Sequence, residues 1–125
     1  MSTQVYVDTN ILIDYITGRD SRGKRFMLET MQCKYTLVVS YHTLMELDRH
    51  HENGSDFVAG FQMLQKIIQV DATTQDREVA KLLKTHSADA LHAAIAMRLQ
   101  IPLLTNNVSD FIGTGVRILT YSDVI

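Results

Sequence analysis

The chain has 125 residues, 46% hydrophobic and 21% charged, with a formal net charge of −2. That balance suits one globular domain over residues 1–125 and excludes a disordered chain or a protein that holds nucleic acid by bulk positive charge. A single cysteine, Cys33, excludes an internal disulfide, and no stretch reaches the ~20 apolar residues of a membrane span.

In chain order, Met1-Ser2-Thr3-Gln4 runs directly into a short apolar strand, Gln4–Val7, with no basic leader or small-residue cleavage site. No secretory signal is therefore expected, and with the lone cysteine the expected location is the cytoplasm. Thr9–Ile16 reads as helix, and Ser21–Gln32 as a second helix with Phe26, Met27 and Met31 on one side. Tyr35–Val39 is the next strand. Ser40 is placed to cap a helix running to about His51. Glu52-Asn53-Gly54-Ser55 signals a turn, Phe57–Lys66 a helix and Ile67–Val70 a strand. Thr73 or Thr74 caps a helix carrying Val79, Leu82 and Leu83. Ser87 caps another that runs to about Leu99. Ile101–Thr105 and Arg117–Thr120 are the last strands, with a short loop or helical turn between them. Short apolar strands alternating with helices predict a three-layer α/β/α fold around a mostly parallel sheet.

Ligands of such sheets sit beyond the carboxyl ends of the strands, where the strand order reverses. Asp8 follows the first strand, and Asp110 comes shortly after the strand ending at Thr105. Asp89 lies in the first turn of the Ser87 helix, and Glu46 sits about two turns into the Ser40 helix. Each has a plain structural explanation alone: a cap, a helix-dipole partner, a solvated face, a turn residue. Together they point to a metal. Two carboxylates ~4 Å apart repel by roughly 4 kcal/mol at an effective dielectric near 20, so a converging cluster calls for a cation. All-oxygen ligation selects Mg²⁺ or Mn²⁺, the ions of phosphodiester hydrolysis.

Four pieces carry a resemblance: Val7-Asp8-Thr9-Asn10-Ile11-Leu12-Ile13; Ser40 to Leu47 with Glu46; Ala88-Asp89-Ala90-Leu91-His92-Ala93-Ala94; and Leu104-Thr105-Asn106-Asn107-Val108-Ser109-Asp110-Phe111. In that order the chain resembles the PIN domain, and within it the toxin nucleases of VapC type, over essentially its whole length. The resemblance implies a five-stranded parallel sheet between helices and a metal-dependent RNA endonuclease. It also implies a homodimer and an antitoxin partner. Asp8, Asp89 and Asp110 would hold the ion, with Glu46 completing the catalytic set. Many relatives carry an acid where Asn107 stands; others have Asn there and an acid three residues on, as here. Asn107 could then be a neutral ligand or a hydrogen-bonding support. Thr9, Asn10 and Thr105 would orient the strand-end carboxylates.

Other features are set aside or kept as alternatives. Five histidines invite a zinc reading, and His42 with Glu46, or His86 with Asp89, could share a helix face. No His-Glu-x-x-His and no cysteine pair supports it. His92 is expected near the rim of the site. A phosphatase of the haloacid dehalogenase type would need an acid at position 10, where Asn10 stands. The remaining alternative is a non-catalytic RNA-binding or assembly module, against which the acids argue. Arg19, Arg22, Lys24 and Arg25 are the one basic concentration, read either as RNA-backbone contacts or as a solvated face. Met27, Met31, Met45 and Phe61 are expected in the core or on a dimer surface.

Overall fold

A computed structural model describes residues 2–125. Strands β1 (Thr3–Val7), β2 (Tyr35–Val39), β3 (Ile67–Gln69), β4 (Leu103–Leu104) and β5 (Ile118–Leu119) form one sheet in the order β3-β2-β1-β4-β5. Every pairing is parallel, so the sheet is wholly rather than mostly parallel. The order reverses at β1, which lies between β2 and β4, and the carboxyl ends of β1 and β4 therefore lie side by side. The Asp8 N–H donates to the Leu104 carbonyl at 2.9 Å across that seam.

The period-2 alternation of the strands divides the core. Val5, Val7, Leu37, Val39 and Leu104 face one layer, with α1 (Thr9–Thr17), α2 (Ser21–Met31), α3 (Tyr41–His50), α4 (Gly54–Met63) and α7 (Tyr121–Val124). Tyr6, Val38 and Leu103 face the other, formed by α5 (Thr74–Leu82) and α6 (Ser87–Leu99). Helix α6 is buried without a break from Ala90 to Ala96; its alanines let it lie close on the sheet.

Most predicted elements appear where expected, with shifts at their ends. Thr73, not Thr74, caps α5, in a reciprocal pair with Asp76. The cap of α6 is His86 rather than Ser87. Helix α4 starts at Gly54, inside the expected turn, because Asn53 takes up the left-handed conformation (φ 61°). A Cβ on Gly54 would come within 2.6 Å of Leu47 Cγ, so α3 and α4 close together only over glycine. Helix α7 has no counterpart in the sequence reading. Met27 belongs to the core, whereas Met31 and Met45 are exposed. Phe61 is half-buried against Tyr15 and Phe57.

Candidate active site

The carboxyl edge of β1 and β4 gathers the acidic residues. Asp8 has extended backbone (φ −64°, ψ 143°), so the strand alternation carries on through it and turns its side chain to the α6 side, with Tyr6. It is 3% exposed. Its Oδ2 accepts a hydrogen bond from Thr105 Oγ1 at 2.9 Å, and Thr105 in turn accepts one from the Asn107 N–H at 2.9 Å. Burial pushes the Asp8 carboxyl above the usual range, opposed by Thr105, the charge of His92 and the Asn10 N–H.

Asp89, in the first turn of α6, is pushed up to about 6, first by burial and then by the charges of Asp8 and Asp110. The charges of Asp8 and Asp110 thus both reach Asp89. Asp110 closes a short 3₁₀ turn, Val108–Asp110. Asn107 Nδ2 donates to Asp110 Oδ2 at 2.6 Å, and Thr85 Oγ1 donates to the Asp110 carbonyl at 2.5 Å. The Asn107 amide thus steadies the acid three residues on.

Glu46 reaches the same edge from α3. His92 Nε2 lies 2.6 Å from its Oε1, and Thr9 Oγ1 donates to the same atom at 3.3 Å. Burial raises the Glu46 carboxyl, but the bond and charge of His92 outweigh it, leaving the group below its ordinary range. His92 lies on the α6 face that meets the sheet; it is fully buried, not at the rim as its sequence position suggested. Its Nδ1 is 2.6 Å from Tyr6 Oη, which donates to Ser40 Oγ at 2.9 Å. A buried chain Glu46–His92–Tyr6–Ser40 therefore crosses from α3 through α6 to the strand ends. Neither Tyr6 nor the burial of His92 was found from the sequence. The alternation placing Tyr6 opposite Val5 and Val7, beneath an alanine-rich helix bearing one histidine, was the available signal.

Two expected supports act elsewhere. Thr9 opens α1 on the side facing α3, so its hydroxyl serves Glu46 rather than Asp8. The Asn10 side chain is taken by Arg19 Nη2 at 3.1 Å, and only its backbone supports Asp8. The basic stretch is partly committed. Arg19 pairs with the buried Asp14, while Arg22 pairs with Asp20 at 2.8 Å and stacks over Tyr121. Lys24 and Arg25 are exposed and make no ion pair among the described residues.

The donor set suits a hard divalent cation: Asp8, Asp89 and Asp110 offer oxygen alone, and none of them pairs with Lys or Arg among the described residues. No three His, Cys, Asp or Glu side chains among the described residues are close enough to hold an ion directly.

A family model described as the PIN domain matches residues 5–112. Comparison with curated proteins finds no match. Among solved structures, the chain is similar to one in a toxin–antitoxin complex from Klebsiella pneumoniae, at 24% identity and TM-score 0.72, covering 94% of this chain and 97% of that one. It is also similar to a chain of VapBC2 from Rickettsia felis bound to a DNA fragment from its promoter, at 17% identity and TM-score 0.70, covering 94% and 98%. A chain of VapBC-1 from nontypeable Haemophilus influenzae matches at 19% identity and TM-score 0.68, covering 96% and 99%. These likenesses are of fold, and the family match rests on most of the chain. With its wholly parallel sheet and the acids at its switch point, the chain belongs to the PIN-domain family.

Proposed function

We propose that the protein is a Mg²⁺- or Mn²⁺-dependent endoribonuclease, the toxin of a toxin–antitoxin pair. The observation that carries the reading is the placement of Asp8, Asp89 and Asp110 about the sheet's switch point, where Asp8 and Asp110 act on Asp89 and, among the described residues, none of the three pairs with Lys or Arg. Such an arrangement is costly in a molecule that uses it for nothing. These three carboxylates would hold the ion, which supplies charge neutralisation at the phosphate and acidifies water. Thr105 fixes Asp8 Oδ2, and Asn107 fixes Asp110 Oδ2. Glu46, kept ionised by His92, has Oε1 engaged, leaving Oε2 to accept a proton from the attacking water.

The partner reading rests on the complexes to which the fold is similar, described as toxin–antitoxin and VapBC assemblies. Exposed Tyr41 and Met45 on α3, with Leu28 and Met31 on α2, supply apolar surface for an antitoxin and for a homodimer of standard size, ~1,600 Å² in total. No helix among the described residues is long and apolar enough to cross a membrane, in keeping with a cytoplasmic site of action.

The test is cleavage of an unstructured RNA by the purified protein with Mn²⁺, with Mg²⁺ and with chelator. Cleavage dependent on metal and lost in Asp8→Asn is expected. Tight RNA binding without cleavage under every metal condition would instead make the protein a binding module.

A further inference from the structure

Beside the acidic rim lies a pocket of about 340 Å³. His42 of α3, Arg77 and Lys81 of α5, and Ser87 and Leu91 of α6 line it together with two alanines, and no carboxylate does. It adjoins the site through α3, where His42 is one helical turn from Glu46 on the same face. Arg77 and Lys81 are exposed, one turn apart, and make no ion pair among the described residues. They differ in this from Arg19 and Arg22, whose charges are answered within the chain.

We propose that this pocket is the RNA subsite next to the cleavage centre, taking one nucleotide of a single strand. Arg77 and Lys81 hold its phosphate, and the His42 ring with the Leu91 wall receives its base. The assignment rests on the nuclease reading of the neighbouring acids. Its own argument is charge. A chain of net charge −2 that gathers carboxylates at its cleft must hold an anionic strand elsewhere, and Arg77 and Lys81 are two cations, unpaired among the described residues, that line a pocket with His42 and Ser87. The walls fit as well: an apolar patch beside a flat imidazole is the surface on which an unpaired base stacks, and Ser87 at the start of α6 offers a hydroxyl to phosphate.

The test measures the affinity of a fluorescein-labelled ten-nucleotide unstructured RNA by anisotropy across a salt series. An Asp89→Asn background slows hydrolysis during the titration. Arg77→Gln with Lys81→Gln should raise Kd by about tenfold at low salt and flatten the salt slope by ~1.4, at ~0.7 per lost single-strand contact. His42→Ala should raise Kd several-fold with the slope unchanged. Lys81→Glu, a single exposed change, guards against misfolding of the double variant and should also weaken binding. Wild-type Kd and slope in both the double variant and Lys81→Glu would overturn the subsite. Cleavage by the wild type is scored separately. Cleavage with unchanged Kd in the variants defeats the subsite alone, and weakened Kd without wild-type cleavage defeats the nuclease reading alone.

Discussion

Two buried aspartates at the ends of one short helix have opposite surroundings. Asp14, 1% exposed near the end of α1, is fully answered. Arg19 pairs with its Oδ1, while Asn106 Nδ2 at 2.6 Å and Tyr121 Oη at 2.8 Å donate to Oδ2. Gly23 allows α2 to close over it, since a Cβ there would sit 2.9 Å from Asp14 Cβ. Asp8, 3% exposed at the start of the same helix, accepts a side-chain hydrogen bond from Thr105 and makes no Lys or Arg pair among the described residues, and the charge of Glu46 acts against its ionisation. A carboxylate that holds a fold together brings its counter-charge with it. Asp8, proposed to handle a ligand, has no such pair with Lys or Arg among the described residues, and the fold carries that cost.

The comparison can be broken most sharply by exchanging the fates of the two residues. Asp8→Asn should lower RNA cleavage at least ~10³-fold, about 4 kcal/mol of transition-state stabilisation, while the metal-free protein melts no lower than wild type. Asp14→Ala should do the reverse. It leaves the Tyr121 hydroxyl and the Asn106 amide without their acceptor, so stability should fall by on the order of 3 kcal/mol, while kcat per folded molecule stays near wild type. Urea melts and single-turnover rates measure both. If Asp14→Ala lost activity without losing stability, the division between the two sites would be wrong.

A smaller effect is expected along the buried chain from Glu46. His92→Gln should lower kcat about tenfold with little change in KM, because it loosens the group that accepts the proton rather than the groups that bind RNA. Tyr6→Phe keeps the packing and removes only the hydroxyl; it should shift the acidic limb of the pH–rate profile and cost less in rate. An unaltered profile in both variants would make the chain purely structural.

The smallest effect is in stability against pH. In the metal-free protein the Asp89 carboxyl titrates at about 6, above its ordinary 3.8. The folded state then binds a proton that the unfolded state has already released, so the stabilising contribution present at low pH is lost as pH rises through 6. Asp8 is shifted the same way. Glu46 is shifted oppositely, and its contribution disappears only below its ordinary range, outside this window. Metal-free stability should therefore fall between about pH 4.5 and 6.5, by on the order of 1 kcal/mol after allowance for solvent screening at the half-buried Asp89. Asp89→Asn should flatten that slope, and Mn²⁺ should reverse it at pH 7.

Much of this was legible in the sequence where the signal is local. Apolar strands, Ser40 and Thr73 at helix starts, and the acids beyond β1 and β4 announce both the fold and its switch point. What escaped depends on long-range contact. Helix α7 is a single turn, too short to show periodicity, and it exists because Tyr121 packs inward and reaches Asp14 across 107 residues. His92 reads as an ordinary helix residue until Tyr6, 86 residues away, is known to lie beneath it. The commitment of Arg19 escaped because its partner Asp14 lies on the preceding helix, its carboxylate turned inward. Arg77 and Lys81 drew no notice, since two cations one turn apart on an exposed helix are common.

On the proposed reading Asp8 takes a cation from solution, whereas Asp14 already has one in Arg19. Isothermal titration of Mn²⁺ into wild type, Asp8→Asn and the milder Asp14→Asn, each confirmed folded by circular dichroism, tests it directly. The account predicts saturable binding in wild type and Asp14→Asn, with at least tenfold weaker binding in Asp8→Asn. Equal Mn²⁺ affinity in Asp8→Asn and wild type would contradict it.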